Sequence, residues 1–133
     1  MMFMAELSIK KKRPKNLDLT TIRLPLPGIL SILHRVSGAG LFLCLPLLLW
    51  LFQSSLATPE SFATFKAVAA HPLVKILLLG LLWAFCHHFC AGIRYLFLDV
   101  HMGIDLESAR LSSKIVFAVS IALTVILGVA LLW

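Results

Sequence analysis

An all-α integral membrane fold with three transmembrane helices is what this sequence predicts, and three observations carry that expectation. Of its 133 residues, 60% are apolar and only 14% are charged, with a mean hydropathy of +0.98. Three long apolar runs each meet the roughly 20 residues needed to cross a bilayer core of about 30 Å. The basic residues are unevenly placed: five of the twelve Lys and Arg fall within residues 10–15, ahead of the first run. Such a composition is too apolar for a soluble domain of this size. The formal charge of +6 therefore reads as a topology and lipid-headgroup signal, with membrane lipids and no nucleic acid as expected partners.

Residues 1–27 are expected to form a cytoplasmic N-terminal segment. Its stretch KKKRPKNLDLTTIRLPLPG carries Pro14, Pro25 and Pro27 without a helical period, so it should lie mostly extended along the membrane surface or a soluble partner. For residues 1–12 a solvated basic tail is an equal alternative. A secretory signal is not expected, because the apolar run is long and contains His34 and Arg35.

The transmembrane domain then spans 28–133. The first helix is expected over 28–52 with Pro46 as a kink position, and 57–71 as a loop with room for a short interfacial helix. The second helix is expected over 73–98 and the third over 115–133, with 99–113 as the loop between them. In the third, Ser120, Thr124 and Gly128 recur every four residues, the pattern of a helix-packing face. Basic residues favour the cytoplasmic side, which places the N-terminus and the second loop inside, and the first loop and C-terminus outside. Trp50 and Trp133 then fall near the outer interface, where indole rings prefer to sit.

The polar exceptions to this pattern carry the functional signal. The stretch HHFCAGIRYLFLD, residues 87–99, places two histidines, an arginine and an aspartate within or beside an apolar run, where ionisable groups are costly. With Arg94 taken as snorkelling to the inner boundary, His88 lies about 5 Å to the cytoplasmic side of the midplane. Counting back from Phe52 puts His34 and Arg35 at the inner boundary, about 10 Å shallower than His88. Ser31 is one turn before Arg35, so Ser31, His34 and Arg35 form a polar cluster at that edge. Asp99 is either a site residue or a helix-end partner for Arg94.

His88 belongs to a four-residue stripe, Gly80, Ala84, His88 and Gly92. On spacing alone, small-residue helix packing and an axial ligand to a porphyrin iron in a flat slot account for it equally well. The edge cluster favours the second reading, since His34 and Arg35 sit where propionate carboxylates would need cations. His87 points some 100° away from His88 and cannot share its iron. With His34 too shallow and His71 and His101 outside the span, a second axial histidine is expected from another chain. Cys44, Cys86 and Cys90 all lie in apolar runs, so no disulfide framework is expected. Cys86 and Cys90 share a face, but no further pair completes a tetrahedral metal site. No Cys-x-x-Cys-His occurs for covalent haem attachment.

RPKNLDL at residues 13–19, SILHRVSG at 31–38, and His88-x-x-x-Gly92-Ile93-Arg94 followed by Asp99 resemble, in order and spacing, the cytochrome b membrane anchors of the succinate:quinone oxidoreductases. The resemblance runs from Arg13 through essentially the rest of the chain. It implies haem b with His88 as the iron's axial ligand, opposite a histidine of a second membrane anchor subunit. His34 and Arg35 would contact the propionates. Ser31 and Arg35 would line the quinone site, with ubiquinone favoured over menaquinone as substrate. It further implies an iron–sulfur subunit and a flavoprotein subunit as partners, succinate oxidation on the flavoprotein, and a multi-pass location in a bacterial inner membrane. One departure is Tyr95, where the family commonly has histidine or phenylalanine. Two other classes stay open: a cofactor-free assembly or anchoring protein, and a small proton or ion pathway built on His34, Arg35, His88 and Asp99. A reduced haem alpha band discriminates, since neither alternative has one.

Overall fold

The computed structural model describes residues 21–133, and these are helical almost throughout. Four helices follow in order: α1 (Leu26–Ser55), α2 (Pro59–Ala70), α3 (Pro72–Asp99) and α4 (Leu106–Leu132). Among the described residues there is no strand. α1, α3 and α4 are each long and apolar enough to cross a membrane, with 30, 28 and 27 residues. Most of the expected N-terminal segment lies outside the described residues. Residues 22–25 are non-helical, and Pro25 stands just before the first turn of α1.

Proline and short polar side chains set where the helices begin. Pro27, Pro59 and Pro72 stand in the first turns of α1, α2 and α3, where a missing N–H costs no intrahelical bond. Thr58 and Ser61 close a reciprocal capping box on α2, and the Leu73 amide donates to His71 Nδ1 at the start of α3 at 3.3 Å. Asp105 accepts from the Ser108 amide at 2.8 Å and caps α4. That bond favours the ionised form and holds the Asp105 carboxyl below its ordinary range. Between α3 and α4 the chain turns through His101 and Gly103, with φ of 62° and 70°.

Two expected boundaries shift for one reason. α4 begins at Leu106 rather than 115, and α1 runs over 26–55 rather than 28–52. Hydropathy marks the part of a helix that matches the lipid, whereas caps mark its ends. The polar residues Glu107, Ser108, Arg110 and Ser112 therefore belong to the first turns of α4 rather than to a loop. The loop expected over 57–71 is largely the 12-residue α2. α1 stays helical through Pro46.

α3 packs against both α1 and α4, around a small core of Leu30, Ala91 and Val116. The expected packing face of α4 is realised: Ser120, Thr124 and Gly128 are buried, and Val116, one turn earlier, joins them. A Cβ built on Gly128 would stand 2.8 Å from Leu79 Cδ1 of α3, so the two helices close together there. Ser120 and Thr124 satisfy their hydroxyls on backbone carbonyls of α4 itself. At that end, the Lys75 ammonium lies 4.8 Å from the Trp133 ring centre, tying the start of α3 to the end of α4.

Candidate functional site

The site forms where α1 and α3 cross through a reciprocal pairing of histidine and glycine. His88 of α3 faces Gly38 of α1, where an added Cβ would meet Cε1 of the imidazole at 2.6 Å. His34 of α1 faces Gly92 of α3, where an added Cβ would lie 3.7 Å from His34 Nε2. Each glycine follows its helix's histidine by four residues, one turn along the same face. In antiparallel neighbours that spacing places each ring over the other's glycine. The rings consequently stack, with centroids 4.2 Å apart and planes 8° from parallel.

This geometry corrects the depth expected from the sequence. His34 is level with His88 and not about 10 Å shallower. Counting from Phe52 assumed that the apolar end of α1 marks the membrane boundary, yet α1 is 30 residues long and so spans about 45 Å, well beyond a bilayer core. The glycine contacts, not the apolar ends, set the stagger of α1 against α3.

His88 is held in a defined orientation. Its Nδ1 lies 3.0 Å from the His34 carbonyl oxygen and 3.4 Å from Ser37 Oγ, while Ser37 Oγ itself donates to the same carbonyl at 3.0 Å. A carbonyl only accepts, so Nδ1 is the donor in that contact, and in the neutral imidazole this leaves the lone pair on Nε2. Among the described residues nothing hydrogen-bonds that Nε2. Fixing one imidazole nitrogen on a backbone carbonyl is how proteins orient a metal-ligating histidine. The two stacked histidines cannot hold one iron between their faces, because each lone pair lies in its own ring plane. Among the described residues no group of three His, Cys, Asp or Glu could hold a metal ion.

The other polar residues take separate places. Ser31 is half-buried and Arg35 exposed, one turn apart on α1, and neither side chain is hydrogen-bonded among the described residues. His87 is fully buried between the rings of Trp83 and Phe117, at 5.2 and 5.3 Å, with both nitrogens unpaired. Tyr95 packs 5.0 Å from His34 with its hydroxyl buried and unpaired. Arg94 does not pair with Asp99. It is 7% exposed and turns onto α4, where Nε donates to Ser112 Oγ at 2.8 Å and Nη2 reaches the Ala109 carbonyl at 3.4 Å. The three cysteines are free thiols. Sequence reasoning gave no role to Ser37 or Gly38, although both stand in the SILHRVSG stretch. Their signal was the matched spacing of His34 to Gly38 and His88 to Gly92.

The family model of the succinate dehydrogenase/fumarate reductase transmembrane subunit matches residues 9–127. The chain belongs to that family. It is 40% identical over 119 residues to the succinate dehydrogenase cytochrome b556 subunit of Coxiella burnetii, covering 89% of this chain and 95% of that protein. To the subunit of the same name from Paracoccus denitrificans it is 36% identical over 114 residues, 86% of this chain and 88% of the other. The corresponding subunit of Rickettsia prowazekii is 32% identical over 121 residues, 91% of this chain and 94% of the relative. Family membership and the three long apolar helices agree on a membrane protein.

Proposed function

We propose that this chain is the membrane-anchoring cytochrome b subunit of a succinate dehydrogenase, with His88 Nε2 as one axial ligand to haem b. The observation that carries this reading is the placement of His88 Nδ1 3.0 Å from the His34 carbonyl oxygen, which leaves Nε2 without a partner among the described residues. The donor set fits the group: a neutral imidazole is a common haem ligand, and Gly38 leaves the ring room that a Cβ would fill. His34 and Arg35 are the residues for the propionates. A histidine from the second anchor subunit completes the axial pair, since no described histidine of this chain can share the iron. When bound, haem b supplies a one-electron redox centre beside the quinone site.

Ser31 and Arg35 line that quinone site, with ubiquinone the favoured substrate. The Ser31 hydroxyl donates a hydrogen bond to a quinone carbonyl, and the Arg35 guanidinium stabilises negative charge as that oxygen is reduced. Both stand near the α1 N-terminus, where water can deliver the two protons the product needs. Succinate oxidation belongs to the flavoprotein subunit, and electrons arrive through the iron–sulfur subunit. The complex sits in the bacterial inner membrane with the N-terminus cytoplasmic and the C-terminus periplasmic. A periplasmically active reporter fused after residue 113 would reverse that orientation.

The deciding experiment compares variants in the purified, assembled complex. His88→Leu should abolish or change the reduced alpha band, whereas His87→Leu should leave axial ligation intact. Ser31→Ala and Arg35→Ala should lower quinone reduction while succinate oxidation with an artificial dye persists. A wild-type complex without the band, or a normal low-spin spectrum in His88→Leu, overturns the haem assignment.

A further inference from the structure

A second feature lies away from the histidines, between α3 and α4. Cys90, Ile93 and Phe97 of α3 and Ile115, Val116 and Val119 of α4 line an open groove of about 460 Å³, which ends against Gly103 and Ser108 beside the α3–α4 loop. That volume falls within the roughly 300–1,000 Å³ of ligand sites. Its lining is apolar except at the loop end, where Arg94, Ser108 and Ser112 meet. The distance along α4 from Ser108 to Val119 is about 16 Å, close to the depth of one leaflet of a core about 30 Å thick.

Arg94 is what makes the groove specific. A guanidinium has five N–H donors, and here Nε and one N–H of Nη2 are spent on Ser112 and Ala109. Among the described residues, Nη1 has no hydrogen-bond partner, and the guanidinium lies over the Tyr95 ring, 5.6 Å from its centre, but meets no carboxylate. A cation that is 7% exposed and lies within a membrane span is costly without an anion. The groove therefore joins a cation at its interfacial end to an acyl-sized apolar channel, the charge and shape of a phospholipid.

We propose that this groove binds one anionic phospholipid of the bilayer, its phosphodiester on Arg94 and one acyl chain between α3 and α4. The site is independent of the haem reading. Charge-assisted phosphate contacts to arginine are short and strong, so an anionic headgroup such as phosphatidylglycerol is selected over phosphatidylcholine.

The test uses the assembled complex, stripped of loose lipid in detergent and exchanged against phosphatidylglycerol or phosphatidylcholine vesicles. Retained lipid is measured by native mass spectrometry, and Cys90 labelling by a membrane-permeant maleimide is mapped by peptide mass spectrometry. Phosphatidylglycerol should be retained and should slow Cys90 labelling. Arg94→Gln should weaken its retention roughly ten-fold, the scale of a lost charged hydrogen bond. Val119→Trp fills the groove from an exposed position without touching Arg94, and should displace the lipid even if Arg94→Gln fails to assemble. Equal retention of both lipids, undiminished retention in Val119→Trp, or Cys90 shielded whichever lipid is present overturns the proposal; the last result would mean that a partner subunit covers the groove.

Discussion

At Gly38 the whole candidate site depends on a missing side chain. His88 cannot retreat from a Cβ placed 2.6 Å from its Cε1 without leaving the His34 carbonyl, which its Nδ1 holds at 3.0 Å. Overpacking of this kind costs about 1–3 kcal/mol, and here the strain falls on the proposed ligand. Gly38→Ala should therefore broaden or shift the haem alpha band, or lower haem per assembled complex. Gly40→Ala is the control, since nothing lies within 4 Å of its Cβ position. Identical spectra in the two variants would remove Gly38 from the site. His88, His34, Ser31 and Arg35 were legible as residues because ionisable and hydroxyl groups stand out in an apolar run. Their relative heights were not, because the stagger of two helices depends on close contacts that no single helix's sequence displays. The orientation of Arg94 was hidden similarly: its acceptors, Ser112 and Ala109, are on another helix.

The helices themselves divide into faces that the sequence announces and ends that it conceals. Ser120, Thr124 and Gly128 share one face of α4 by their four-residue spacing alone, and all three are buried. Small residues let membrane helices approach closely, and packing between them takes over the role that hydrophobic burial has in water. At Gly128 the nearest obstacle is Leu79 Cδ1, the far end of a flexible side chain, so Gly128→Ala should be tolerated by a small rotation of Leu79. Gly128→Leu adds more volume than that rotation frees. It should lower the amount of assembled complex without changing quinone turnover per complex, as read by blue native gels and activity normalised to flavin. Full assembly of Gly128→Leu would show that α3 and α4 are not pressed together there. The early start of α4 follows from a different signal, the Asp105 cap with Ser108 three residues on. A polar first turn followed by an apolar run reads as loop by hydropathy and as helix by capping, and capping decides.

Taken whole, the three spans leave much apolar surface uncovered. Phe42, Leu43, Trp50, Phe85, Phe89 and Leu96 are all exposed. In a bilayer such residues meet lipid or other helices, so hydropathy alone does not reveal which faces are interfaces. The proposed haem narrows the choice, because His88 stands at the α1–α3 junction with only one usable lone pair in this chain. His34 is stacked on it, His87 is enclosed by Trp83 and Phe117, and His71 and His101 flank the two ends of α3. Two neutral imidazoles favour a low-spin, electron-transferring iron, whereas one leaves a coordination position open. Expressed alone in membranes, this chain should bind haem poorly or in a high-spin form. Co-expression with the second anchor subunit should restore the low-spin spectrum, and replacing that subunit's axial histidine should abolish the gain. A low-spin spectrum from the isolated chain would require α1 and α3 to rearrange so that His34 leaves the stack, and would overturn the two-chain site.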